Sequence, residues 1–140
     1  MQAFDRAKAL LKTEGYTCVL CDADRVMTSR KTGIAPLVER LESGECLKGT
    51  AAADRVVGKA AAMLMVYGGV SEVYGEVMSQ EAYRLLTAHG VTAEYGTLIP
   101  RILNRAGTGP CPMEQAVAEL TEPADALPAL QKTLAHLRGL

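Results

Sequence analysis

The sequence predicts an α/β fold: a mixed sheet covered by helices on both faces, formed as one domain over residues 1–140. Three observations point there. Hydrophobic residues make up 49% and charged residues 22% of the 140, the balance of an ordinary globular domain. Apolar spacing switches repeatedly between a helical and a strand period. Between Thr50 and Tyr95, helix and strand alternate with short connections, as parallel crossover units do.

Each element has its own local reason. Residues 2–14 are predicted helical because Phe4, Ala7, Leu10 and Leu11 recur at spacings of three and four, and Gly15 ends the run. Residues 16–21 and 26–29 read as an antiparallel hairpin turned by Asp22–Arg25. A helix follows over 35–42, with Pro36 in its tolerant first turn. The most apolar helix is predicted from about residue 50 to 66, because Val56, Val57, Ala60, Ala61, Leu64 and Met65 cover much of its circumference. Gly68 and Gly69 stop it. Residues 70–77 alternate as a strand, Ser79 caps a helix over 80–88, and Gly90 ends that helix. Two short extended pieces are predicted at 92–96 and 98–101. A loop follows at 104–110, then a helix over 112–120. A last helix runs over 123–137, kinked at Pro128.

Several function classes are excluded at this level. Fifteen basic against sixteen acidic residues give a net charge of −1, so no nucleic acid is expected as a partner. The longest apolar stretch, residues 60–67, is far short of the roughly 20 that a bilayer span needs, so no membrane partner is expected. Residues 1–12 do not read as a signal peptide, and a cytoplasmic protein is expected. The four cysteines then predict no disulfide framework. Cys18 and Cys21 have the spacing of a metal or redox pair, but on a strand residues three apart face opposite ways. His89 lies at a helix end and His136 near the C-terminus, which leaves little material for a His/Cys zinc centre.

Three segments carry candidate chemistry. The first is the start of the central helix, where Asp54 suits the helix dipole and Lys59 sits among residues expected to be buried. Gly58 inside a helix costs about 1 kcal/mol relative to alanine, which suggests a close approach to the backbone there. The second is Ser79–Gln80–Glu81, where amides at a helix N-terminus suit an anion; a plain Ser79 cap is worth about 1 kcal/mol. The third is residues 101–114. Cys111 is predicted as an N-cap, where the dipole stabilises a thiolate, with Glu114 reaching back to the Cys111 N–H. Gly107–Thr108–Gly109, flanked by Arg101 and Arg105, could cradle a phosphate.

The segments 53–62, Ser79–Ala82, Asn104–Arg105 and Cys111–Glu114 resemble an uncharacterised prokaryotic family of small proteins, a domain of unknown function. The resemblance implies a cytidine deaminase-like, three-layer α/β/α sandwich. In zinc deaminases a His or Cys followed two residues later by Glu opens the central helix, and Cys-x-x-Cys opens the next. Here no His-x-Glu exists, and Ser79 and Ala82 stand at the apparent Cys-x-x-Cys spacing. Serine and alanine hold no zinc, so neither metal nor cofactor is expected.

The leading expectation is a metal-free domain binding a nucleotide-like or other small polar ligand through Asp54, Lys59, Ser79, Glu81, Asn104 and Arg105. The first alternative is an enzyme with Cys111 or Lys59 as its reactive group and Glu114 or Asp54 supplying acid–base help. The second is a homodimer joined through the Ala/Met-rich surface of the central region.

Overall fold

The computed structural model describes residues 2–104 and 106–139. Helix α1 (Ala3–Glu14) leads into the hairpin β1 (Cys18–Cys21) and β2 (Val26–Ser29), then α2 (Ala35–Glu42). Three strand–helix units follow: β3 (Ala51–Val57) with α3 (Lys59–Gly68), β4 (Glu72–Ser79) with α4 (Gln80–Ala88), and β5 (Thr92–Ile99) with α5 (Pro112–Val117). A short 3-10 turn at Pro123–Asp125 opens α6 (Ala126–Arg138).

The strands form one mixed sheet in the order β2-β1-β3-β4-β5. β1 runs antiparallel to both β2 and β3, pairing Cys18 with Ser29 on one side and with Asp54 on the other. β3, β4 and β5 are parallel, with Ala51 beside Glu72 and Glu72 beside Thr92. Their C-terminal ends, Val57, Ser79 and Ile99, therefore lie along one edge of the sheet.

Apolar side chains collect in two clusters. Phe4, Ala7 and Leu11 of α1 pack with Val19, Cys21, Ala51, Ala53 and Tyr74. The larger cluster surrounds α3 and takes Cys18, Leu20, Ala52 and Val73 from the sheet. Adjacent strand residues thus divide between the clusters, as a pleated sheet buried on both faces requires. Helix α3 is apolar around its whole circumference, and Ala60 to Met65 are all buried. The Ala/Met-rich face expected to join two copies is consequently interior: Met63, Leu64 and Met65 are fully covered by this chain's own helices.

The largest correction concerns the central helix. The predicted helix over 50–66 is a strand, a one-residue joint at Gly58, and a helix. Three alanines favour helix by intrinsic propensity, but Ala51–Val57 is a central strand, and a strand covered on both faces is nearly continuously apolar. Small side chains there let α1 approach β3 closely. The apolar spacing merely ran across the joint.

Three smaller differences follow. β5 is one strand, because Gly96 marks a close approach and not a break. A Cβ there would meet the Glu76 carbonyl oxygen at 2.7 Å and the Tyr74 hydroxyl at 3.1 Å. Pro128 falls in the first turn of α6, where its missing N–H removes no helix bond. Helix α5 ends at Val117. The hairpin, α2 and α4 match expectation, and Ser79 Oγ accepts the Ala82 N–H at 3.1 Å as the α4 cap. Cys18 and Cys21 lie in different clusters, so their sulfurs cannot share an ion. Among the described residues no helix is long and apolar enough to cross a membrane.

Candidate functional site

A cleft of about 240 Å³ opens where the three parallel strands end. Such edges gather ligands in α/β proteins because helix N-termini and loops converge there. Lys59 enters from the start of α3, Ser79 and Glu81 from the start of α4, Arg101 from the segment after β5, and Glu114 and Gln115 from α5. The structure thus brings together Lys59, Ser79, Glu81 and Glu114 from three stretches distant in sequence.

Lys59 is the first residue of α3 and does not sit in mid-helix. Its ammonium lies 3.3 Å from Glu81 Oε1 and donates to the Ala118 carbonyl at 3.0 Å, with the side chain 12% exposed. A cation at a helix N-terminus opposes the dipole, so this placement depends on the neighbouring carboxylates. Ser79 is almost fully buried, and its oxygen is engaged as the α4 cap.

Glu114 behaves differently from the capping box expected of it. The Cys111 N–H donates to the Ile102 carbonyl at 3.4 Å. The Glu114 carboxylate instead crosses to α3, where Oε1 accepts the Lys59 N–H and Oε2 the Ala60 N–H, each at 2.8 Å. The reason lies at Gly58. Glycine is the N-cap of α3 and has no side-chain oxygen to offer. A carboxylate from far downstream, that of Glu114, takes that role, in the position an anion favours at a helix start. The same contact explains the glycine, since a Cβ at position 58 would overlap the Glu114 carboxylate and come within 2.8 Å of Ile102 Cγ1. Burial pushes the Glu114 carboxyl above its ordinary range, and the two backbone donors pull it back.

Other expected site residues lie elsewhere. Asp54 is in the middle of β3, opposite Cys18, and does not line the cleft. Burial raises its carboxyl to about 7, against weaker stabilisation by the Val56 N–H and the Cys18 thiol. Burial, and then the Asp54 charge, also push the Cys18 thiol well up. Cys111 caps α5 without a side-chain bond and lines a second, larger cavity together with Asn104. Asn104 closes its own loop, its Oδ1 accepting the Thr108 N–H at 3.0 Å. Gly107 and Gly109 line neither cavity, so the expected phosphate cradle is not at the cleft. Arg105 lies outside the described residues.

Sequence reasoning missed Gln115 and Ala118, and it attached Arg101 to the glycine loop. The usable signal was their position just beyond β5 and on the following helix. His89 bonds the Leu85 carbonyl at the far end of α4, and His136 lies on α6, so neither supplies a base to the cleft. Among the described residues, no group of three or more His, Cys, Asp or Glu side chains is placed to hold a metal ion.

Residues 6–134 match the family described as TM1506, a domain of unknown function (DUF1893). No curated protein is matched. The chain is also similar in structure to a DUF1893 family protein (TM1506) from Thermotoga maritima. The two are 24% identical, with a TM-score of 0.83 over 93% of this chain and 88% of the other, a likeness that speaks to fold alone.

Proposed function

The chain belongs to the DUF1893 family of domains of unknown function, and from its cleft we propose that it binds a small polar, nucleotide-like ligand without a metal. In this reading the fold is a cytidine deaminase-like three-layer α/β/α sandwich. Support comes from α1 on one side of the mixed sheet and the α3-centred cluster on the other. The zinc-ligand positions of that scaffold are taken by side chains that do not bind zinc, as Ser79 and Ala82 illustrate.

One observation carries the proposal: Lys59, Ser79, Glu81 and Arg101 converge on one cleft at the ends of the parallel strands. Lys59 and Arg101 offer cationic donors to an anionic or carbonyl group. The Ser79 hydroxyl keeps its proton to donate while its oxygen caps α4. The Glu81 carboxylate accepts from a ligand N–H or hydroxyl. A volume near 240 Å³ suits a compact head group, with the rest of the ligand lying over the exposed Arg101.

Catalysis gains less from the same geometry. The Lys59 ammonium is ion-paired, both Glu114 oxygens are engaged, and Cys111 faces another cavity. Thermal-shift and calorimetric titrations with nucleosides, nucleotides and small polar metabolites test the reading. A ligand at about 100 times its dissociation constant stabilises the fold by about 2.7 kcal/mol, a shift of several degrees. Lys59→Met and Arg101→Gln should each weaken that binding. No response across the panel, or binding indifferent to both substitutions, would refute it.

A further inference from the structure

The second cavity holds about 680 Å³, within the range of small-molecule sites, and its character is opposite to that of the cleft. It lies between the start of α2, the end of β3, the start of α5 and the end of α6. Its walls are Ile34, Val56, Leu103, Met113, Leu134 and Leu137. Six large apolar side chains among the described residues are exposed, and three of them, Val56, Leu103 and Leu137, line this one concavity. Exposed apolar surface gathered in a hollow marks a binding site more often than scattered residues do.

Charge selects the occupant. Arg138 is the sole charged residue among those lining the cavity, and it makes no ion pair with another described side chain. Asn104 is occupied with Thr108. An apolar hollow with one cation at its rim complements a short apolar chain bearing one anionic group. We propose that this groove binds a small amphipathic carboxylate, its chain against Val56, Leu103 and Leu137 and its head on the Arg138 guanidinium.

Cys111 provides a reporter, because it lines the same cavity. Cys18 and Cys21 are buried and Cys46 is exposed, so in a Cys46→Ser protein Cys111 is the accessible thiol. Alkylation by iodoacetamide is followed with octanoate and with 1-octanol, its neutral counterpart of equal chain length. Octanoate should slow the reaction saturably, at about tenfold lower concentration than 1-octanol, the gain expected of one charge-assisted contact. The exposed Arg138→Gln should abolish the difference between the two compounds, and Val56→Arg should abolish protection by both. Absence of saturable protection, or an unchanged preference in Arg138→Gln, overturns the proposal. Protection that grows with protein concentration alone overturns it too, since a second copy would then cover the groove.

Discussion

Two acids, the buried Asp54 and the half-buried Glu114, sit in contrasting regions of this molecule. Glu114 lies at the strand-end cleft, where each carboxylate oxygen receives a backbone N–H at 2.8 Å from the start of α3. Asp54 lies in the middle of the sheet, where the Val56 N–H donates to it at 3.4 Å and its neighbour is a buried thiol. Burial acts against ionisation of both. The difference lies in what replaces water. A helix start supplies aligned donors that need a partner, so a carboxylate there satisfies two groups as it is satisfied itself. A mid-sheet position has its backbone groups already committed to neighbouring strands, so an acid there is left with little. One acid should stabilise the fold, and the other should weigh on it.

Removing the first acid is the strongest way to break that contrast. Glu114→Ala leaves two N–H groups of α3 without their acceptor, and should destabilise by about 3 kcal/mol in urea unfolding. Gly58→Ala should cost a similar amount, because its methyl displaces the same carboxylate. Since both changes disrupt one contact, the double variant should fall short of the sum by about 1 kcal/mol or more. Strict additivity would show that the α3 cap does not depend on Glu114.

The contrast also explains what could be read from the sequence. Gly15, Pro36, Ser79 and Gly90 set local boundaries through local chemistry, so α1, α2 and α4 were legible. The β3–α3 joint was not. Ala51–Ala53 carry helix propensity, and only the burial of β3 between α1 and the rest of the core makes them a strand. By its spacing Asp54 consequently reads as part of a helix start, where an acid is favourable, but it stands in mid-sheet, where it is not. Gly58 gave a correct hint of close approach, but what approaches it is Glu114, 56 positions away. Lys59, Ser79 and Glu81 share one cleft because α3 and α4 both start where parallel strands end, although the spacing had placed Lys59 in mid-helix. Cys111 and Asn104 were near in sequence to Glu114, yet the fold turns them to the other cavity.

Asp54 sharpens the contrast through pH. Its carboxyl is raised from 3.8 to about 7 in the fold. Below pH 3.8 the acid is protonated whether the chain is folded or not. Between 3.8 and about 7 the unfolded chain loses a proton that the folded chain keeps, so stability falls as pH rises. Above about 7 the loss is complete. Asp54→Asn removes this titration. Its stability relative to the wild type should therefore be about 2–4 kcal/mol greater at pH 8 than at pH 4, as read by urea unfolding at each pH. A gap that does not change with pH would mean that Asp54 is ionised throughout at little cost.

The smallest effect belongs to the ion pair that spans the cleft. Lys59 is mostly covered, but its partner Glu81 is 55% exposed, and solvent screens much of their attraction. Lys59→Met keeps most of the side chain's packing while deleting the charge. Loss of the bonds to Glu81 and to the Ala118 carbonyl should cost about 1 kcal/mol or less. The cation also sits at the positive end of α3, so removing it relieves a repulsion that opposes this loss. The fold should thus be nearly indifferent to Lys59, whereas Glu114→Ala is not tolerated so cheaply. Unfolding of the two variants side by side separates a residue placed to hold the helix from one placed to meet a ligand. A destabilisation by Lys59→Met equal to that of Glu114→Ala would put both in the first class and leave the cleft without its principal cation.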